Sequence, residues 1–347
     1  MIGCDRPAPS TPTGGKRPTT MAVEITRVTP LPPNHRTHVA PMGNGQIFWV
    51  QEAETTGRET VFAISDGGLP SATRFSNASI LEALGQSDAT GSIQSMAAGA
   101  DGKLYFYFQG GKKKLLLAAL GTFSPETGKT QIIADTEALQ RESQMGNALA
   151  LTRGSVLGMG NVIWLWLRHP DGFALLSLEP GVGLRRRVDQ VRVEGATLRL
   201  RSSQEDLAAG LGDWLIYLDR ETGKLWKVTR MGEGSPIATL SDLPKATTAP
   251  SWDEQGRMIM FGPEGLPFVE PQDNARAIPG ASGGPQFPAM ILFEGEKRIV
   301  LDREKFTAPA SLNSRNLAIG ELVRDRSSWL GYDPPTGELL RIRIVEK

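Results

Sequence analysis

Ala100-Asp101-Gly102-Lys103-Leu104-Tyr105-Phe106-Tyr107-Phe108 is a small-residue turn followed at once by a dense run of strand-forming residues. Asp-Gly suits a tight turn because glycine adopts positive φ without steric cost, and aromatic side chains fit a pleated, buried surface. The phrase recurs. Gly43-Asn44-Gly45-Gln46-Ile47-Phe48-Trp49-Val50 and Gly158-Met159-Gly160-Asn161-Val162-Ile163-Trp164-Leu165-Trp166-Leu167 are close copies. Leu211-Gly212-Asp213-Trp214-Leu215-Ile216-Tyr217-Leu218 and Asp253-Glu254-Gln255-Gly256-Arg257-Met258-Ile259-Met260-Phe261 are weaker ones. The runs start near Gln46, Leu104, Val162, Trp214 and Met258, at intervals of 58, 58, 52 and 44 residues. A sixth run, Asn316-Leu317-Ala318-Ile319-Gly320-Glu321-Leu322-Val323, begins 58 residues beyond Met258. A period near fifty implies stacked supersecondary units that bury their faces only against neighbours.

A second element repeats independently. Tyr217-Leu218-Asp219-Arg220-Glu221-Thr222-Gly223-Lys224-Leu225 matches Tyr332-Asp333-Pro334-Pro335-Thr336-Gly337-Glu338-Leu339 from the Asp onward, 114 residues apart. Ser124-Pro125-Glu126-Thr127-Gly128-Lys129-Thr130 and Thr55-Thr56-Gly57-Arg58-Glu59 are relatives. Thr-Gly followed by a charged residue reads as a hairpin between strands that alternate at period two. Asn77–Leu84 and Thr136–Glu142 interrupt the pattern as short helices, and the Pro/Gly-rich stretch Gly265–Gln286 reads as a long loop.

These phrases resemble blades of bacterial β-propellers, including the Tol-type, NHL-type and quinoprotein-like repeat families. Pro250-Ser251-Trp252-Asp253-Glu254-Gln255-Gly256-Arg257-Met258-Ile259-Met260-Phe261 resembles a Tol-type blade phrase, with Glu254-Gln255 in place of its acidic turn. The resemblance covers about 300 residues and implies an all-β fold: one β-propeller over residues 22–347, of six blades with four antiparallel strands each, seven being the alternative. The strand Ala22–Val28 is expected to pair with Leu339–Val345, joining the chain ends in one blade and removing an exposed edge.

Residues 1–21 are Pro-, Thr- and Gly-rich and read as a disordered tether. Within them Met1-Ile2-Gly3-Cys4 resembles the end of a bacterial lipoprotein signal, which implies lipidation of Cys4 and an extracytoplasmic, periplasmic or membrane-anchored location. No basic or apolar region precedes that motif in the sequence as given, and without an upstream signal the chain would be cytoplasmic.

The 347 residues carry 38 Lys and Arg against 38 Asp and Glu, so the excess of positive charge that non-specific nucleic-acid binding requires is missing. A single cysteine precludes an intramolecular disulfide, and no apolar run reaches the length that spans a bilayer. With three His and one Cys, most zinc sites are excluded. No cofactor is expected. A divalent metal in the central channel stays open, although no D-x-[DN]-x-[DN]-G calcium loop occurs.

No contiguous motif carries catalysis. Gly280-Ala281-Ser282-Gly283-Gly284 matches G-x-S-x-G, but prolines flank it where a nucleophile elbow needs a strand and a helix. Leu218–Trp226 resembles the tryptophan-docking repeat of quinoproteins. It stands alone here, so Trp226 is expected to anchor a core. The aromatics Tyr105 to Phe108, Trp164 and Trp166 are expected to pack both faces of their blades. The candidate binding residues are Arg185, Arg186, Arg187, Arg192, Arg199 and Arg201, six guanidinium groups within 17 residues; Lys112-Lys113-Lys114 forms a second basic turn. Their default reading is a solvated, charge-protected blade edge; the sharper one is an anion or partner site.

The main functional expectation is a monomeric, non-catalytic binding or scaffolding propeller of the cell envelope, engaging a protein or small ligand through loops at one end. The alternative is a propeller enzyme of lactonase or lyase type acting on a small or sugar-like substrate, with a site assembled from several blades.

Overall fold

The computed structural model describes residues 21–30, 38–52, 57–65, 68–112, 115–151, 153–159, 162–169, 172–179, 181–188, 191–193, 196–198, 207–209, 214–219, 224–229, 234–239, 251–252, 258–262, 289–294, 297–301, 306–307, 321–325, 328–333 and 338–346. The chain opens with β1 (Met21–Pro30). A first sheet follows, β2 (Val39–Pro41), β3 (Ile47–Glu52), β4 (Glu59–Ile64) and β5 (Ser71–Ser76), each strand pairing with the next. Helix α1 (Asn77–Ala83) leads to the second sheet, β6 (Thr90–Ala98), β7 (Leu104–Lys112), β8 (Leu115–Ser124) and β9 (Lys129–Ala134). Helix α2 (Thr136–Ser143) and a 3-10 turn (Gly146–Leu151) lead to the third, β10 (Arg153–Met159), β11 (Val162–His169), β12 (Gly172–Glu179) and β13 (Gly183–Val188).

A two-stranded ribbon, β14 (Val191–Val193) with β15 (Ala196–Leu198), precedes the fourth sheet. That sheet is β16 (Leu207–Ala209), β17 (Trp214–Asp219), β18 (Lys224–Thr229) and β19 (Gly234–Thr239). The fifth is β20 (Ser251–Trp252), β21 (Met258–Gly262), β22 (Ala289–Glu294) and β23 (Lys297–Leu301). The last combines β24 (Phe306–Thr307), β25 (Glu321–Asp325), β26 (Ser328–Asp333) and β27 (Glu338–Glu346) with β1, in the order β24-β1-β27-β26-β25. The chain is therefore mostly β, a series of antiparallel meanders of propeller type.

β1 pairs antiparallel with β27, Ala22 opposite Val345 and Thr29 opposite Leu339, as expected from the sequence. First strands of neighbouring sheets also touch: β2 meets β6, β6 meets β10, β10 meets β16, β20 meets β25, and β25 returns to β2. The five strongest copies of the repeat phrase supply the second strand of sheets one to five. The sixth copy is a correction. Glu321-Leu322-Val323 belongs to β25, a first strand, and the second strand of the last sheet is β26, led by Ser328-Trp329-Leu330. The apolar content of the two runs is similar, and only pairing order separates them.

Alternation decides the packing. Phe106 and Phe108 point from β7 into a core shared with Phe48, Val50, Val61 and Phe75 of the first sheet. Tyr107, between them, enters a core with Val156, Leu165 and Leu176 of the third. These three rings have no solvent exposure, so both faces of the second sheet are buried there, whereas Tyr105 at the start of β7 is only half-buried and donates its hydroxyl to Asp101. Trp164 and Trp166 are buried at 1% exposure each, and Trp226 is buried as a core anchor. The two short helices fall where the pattern breaks. α1 starts with a capping box in which the Ser76 hydroxyl accepts from the Ser79 N–H, and α2 with Asp135 accepting from the Ala138 N–H.

The first strand of each sheet has an edge whose N–H groups lack a strand partner. Side chains of the preceding sheet satisfy two of them. Glu59 Oε2 accepts from the Ile93 N–H of β6 at 2.6 Å, and Ser95 Oγ from the Val156 N–H of β10 at 2.6 Å. A bulge between Ile93 and Ser95 accompanies both contacts.

The Thr-Gly hairpins are not all equivalent. Asp219 pairs with Lys224 and Asp333 with Glu338, joining second and third strands. Ser124 pairs with Lys129 across a turn joining third and fourth strands. Gly57 and Gly128 both sit at positive φ, 61° and 67°, as hairpin glycines require. The 1–20 segment with Cys4, the loop 265–286 and the Gly280-to-Gly284 motif lie outside the described residues.

Candidate functional site

The Ser124–Lys129 turn matters because of what it faces. It closes one side of an open groove of about 450 Å³ between the first sheet and the end of the second. Gln46, Phe48, Arg74, Phe123, Glu126 and Thr127 line it. Phe48 and Phe123 are almost wholly buried and form the apolar base, while Arg74, Glu126 and Thr127 are exposed at its rim. Phe123 is held by a parallel stack on Phe75, with ring centroids 4.8 Å apart. The turn is set by the Gly128 N–H donating to the Ser124 carbonyl at 2.8 Å.

The polar groups of the groove differ in how they are committed. Thr73 is spent on the fold: its hydroxyl donates to the Val61 carbonyl at 2.7 Å and accepts from the Phe75 N–H. Gln46 uses its amide oxygen to accept from Asn44 Nδ2 at 3.0 Å, leaving its own amide N–H₂ turned to other use. Arg74 lays its stem beside the turn, Cδ being 3.5 Å from where a Cβ on Gly128 would sit. Among the described residues its guanidinium has no carboxylate within ion-pair distance. Such a groove offers donors, acceptors and an apolar base to a small polar molecule.

A second polar node lies between the first two sheets, at the start of β4. Asn77 Nδ2 donates to the carbonyls of Gly57 and Gly91 at 3.1 and 3.0 Å, and Asn77 Oδ1 accepts from the Glu59 N–H at 3.2 Å. Glu59 is 8% exposed. Burial pushes its carboxyl up to about 7; the Ile93 N–H opposes that shift and the charge of Glu52, its cross-strand partner, adds to it.

A measurable consequence follows for stability. The folded carboxyl holds its proton up to about 7 and a free glutamate only to 4.5, so the folded state binds more protons between those values. Stability therefore falls as pH rises through that window, by about 3 kcal/mol at most, and levels off above it. Glu59→Gln, which keeps an acceptor for Ile93, is expected to flatten this slope. Melting temperatures of both proteins at pH 5 and pH 8 check it; equal pH dependence in the two would remove Glu59 as its source.

The six arginines are placed as follows. Arg185, Arg186 and Arg187 lie on β13, the outermost strand of the third sheet; Arg185 is exposed opposite Ser177, and Arg186 pairs with Leu176. Arg187 falls at the bulge, and Arg192 is on β14 opposite Thr197. Arg199 and Arg201 lie outside the described residues, as do Lys113 and Lys114, while Lys112 pairs with Asp88. Arg185, whose side chain is described, is not part of the groove lining. Sequence reading places Gln46 at the start of a strand run, Thr127 and Glu59 in hairpin phrases and Asn77 at the head of a short helix, and assigns no binding or catalytic role to any of them or to Arg74. Nothing near Arg74 in the chain marks it, because its surroundings come from the next sheet. Among the described residues no cluster of three metal-ligating side chains occurs, and no helix is long and apolar enough to cross a membrane.

Solved structures similar over most of the chain include a gluconolactonase from Xanthomonas campestris, at 12% identity and a TM-score of 0.45, covering 95% of this chain and 98% of that one. An oligogalacturonate lyase from Vibrio parahaemolyticus matches at 10% identity and a TM-score of 0.45, covering 94% and 97%. The β-propeller domain of the trilobed protease from Pyrococcus furiosus matches at 9% identity and a TM-score of 0.45, covering 85% and 78%. No protein-family model and no curated protein matches the chain.

Proposed function

We propose that the chain closes into a single six-bladed β-propeller and that its function is to engage a small, sugar-like molecule in the groove between its first two sheets. Closure is supported by the contacts that link the first strands of sheets one to four and of sheets five and six, by the return of β25 to β2, and by β1 and β27 tying both chain ends into one sheet. The observation that carries the ligand reading is the groove itself. It is large enough for one or two sugar rings, has Phe48 and Phe123 at its base, and among the described residues leaves the Arg74 guanidinium without a carboxylate and the Gln46 amide N–H₂ without an acceptor.

Saturation-transfer NMR with a panel of neutral and charged monosaccharides and disaccharides tests it. Binding is expected, and Phe123→Ala should weaken it at least about tenfold by removing the apolar base. A panel without any binder, or binding unchanged by that substitution, would move the ligand site elsewhere.

Catalysis of the lactonase or lyase kind is the second reading. The exposed Glu126 carboxylate favours it, being an acid–base group in the groove lining itself. Turnover of sugar lactones and uronides that is lost in Glu126→Gln would support it. A lipid on Cys4 and an envelope location belong to the same proposal, supported by Ile2-Gly3-Cys4 and the Pro/Thr/Gly stretch behind it. The exposed β13 edge bearing Arg185 is the proposed partner-facing surface.

A further inference from the structure

The ligand class can be narrowed, on the premise that the groove is the binding site. We propose that it takes a hydroxylated monocarboxylate, a sugar acid, with the carboxylate on Arg74. Three observations carry this. Arg74 stands at the groove with no carboxylate at ion-pair distance among the described residues, although the exposed Glu126 shares the same lining. A planar guanidinium is matched best by a planar two-oxygen anion, which it holds through two parallel hydrogen bonds. Gln46 brings an amide N–H₂ whose sister oxygen is already engaged by Asn44, so it is oriented to donate.

Glu126 sets the limit on charge. Its carboxylate accepts hydrogen bonds and suits ligand hydroxyls, with the Thr127 hydroxyl beside it. The same negative charge disfavours a phosphate dianion, which would place two charges where the groove supplies one guanidinium. The floor over the buried Phe48 and Phe123 is apolar and suits the C–H side of the ring. Each part of the groove therefore has one counterpart in a sugar acid: carboxylate to Arg74, hydroxyls to Glu126, Thr127 and Gln46, and ring face to the aromatic base.

The test uses calorimetry on the full chain with three probes, D-glucuronate, D-glucose and glucose 6-phosphate. Glucuronate is expected to bind about tenfold more tightly than glucose, the scale of one charge-assisted pair, and to lose that advantage as salt is raised. Arg74→Gln should bring glucuronate down to the glucose level and leave glucose itself within about twofold. Lys129→Gln, a charge change outside the groove lining, should alter neither, and matching melting temperatures certify that the variants fold. Equal affinities for glucuronate and glucose would overturn the sugar-acid assignment and leave the groove as a neutral-sugar site. Tighter binding of glucose 6-phosphate would overturn it in favour of phosphate esters. Absence of binding by all three overturns this inference together with the reading it rests on.

Discussion

Deletion of residues 21–30 is expected to abolish cooperative thermal unfolding and to drive the chain into aggregates. β1 is the N-terminal strand of a sheet whose other long strands come from the last 27 residues. It pairs with β27 from Met21 opposite Glu346 to Pro30 opposite Glu338. Ala22, Val23 and Ile25 are buried there, and Arg27 pairs with Glu338 at 2.7 Å. Burial of those three side chains alone contributes about 4–6 kcal/mol. A whole domain has only about 5–15 kcal/mol in hand, so the loss is comparable with the total.

The damage extends beyond the lost contacts. β27 would become an open edge bearing Leu339, Leu340 and Ile342, all fully buried in the intact protein. An unpaired apolar strand recruits other chains. Circular dichroism melting and size-exclusion chromatography check this against the intact protein. A deletion variant that stays monomeric and melts within a few degrees of it would show that the ends are not tied through this sheet.

Phe106→Ala is expected to cost about 3–5 kcal/mol, the range for emptying an aromatic site in a packed core. In a chain of this size that is a fall in melting temperature of about 5–15 °C. The ring is fully buried and packs on Phe75 with centroids 5.0 Å apart. It also explains the residue across the ladder. Phe106 pairs with Gly121 on β8, and a Cβ built on Gly121 would lie 2.4 Å from Phe106 Cζ and 2.7 Å from the Gln131 carbonyl oxygen. The glycine is there because the ring lies over it.

Gly121→Ala by itself should therefore destabilise by about 1–3 kcal/mol through overpacking. In the double variant the clash with the ring disappears and the one with the carbonyl remains. The two costs should sum to more than the measured total, with a coupling of about 1 kcal/mol or more. Denaturant unfolding of the four proteins measures this cycle. Strict additivity would mean that the ring and the glycine do not share the space.

Much of the fold is legible along the chain because its causes are local. Asp101-Gly102 and Thr127-Gly128 announce turns through glycine's access to positive φ, and the structure puts both glycines there, at 76° and 67°. The Phe106-Tyr107-Phe108 run announces burial on both faces because successive strand residues point to opposite sides. Ser76 and Asp135 cap the two helices where apolar alternation stops. Pairing order is less local. Glu321-Leu322-Val323 and Ser328-Trp329-Leu330 are both strand-like, and which of them is a second strand depends on which neighbour each finds.

The candidate site is the least legible part. Its members lie on β3, β5 and the β8–β9 turn, and its walls exist only once two sheets pack through Phe75, Phe106 and Phe123. Glu59 is one acid among many in the sequence. Its proton affinity rises because burial between the sheets strips it of water, with the Glu52 charge adding to the shift and the Ile93 N–H of β6 opposing it. The opening phrase at Ala100–Phe108 thus determined by itself that the chain is a repeated set of turns and strands, since φ preference and period-two burial act within a few residues. The tertiary structure alone decided that its rings seal two sheet interfaces, that Arg74 faces an open groove with no carboxylate at ion-pair distance among the described residues, and that Glu59 holds its proton to a higher pH than a free glutamate. Those outcomes depend on which sheet lies against which, and so on contacts made across long stretches of chain.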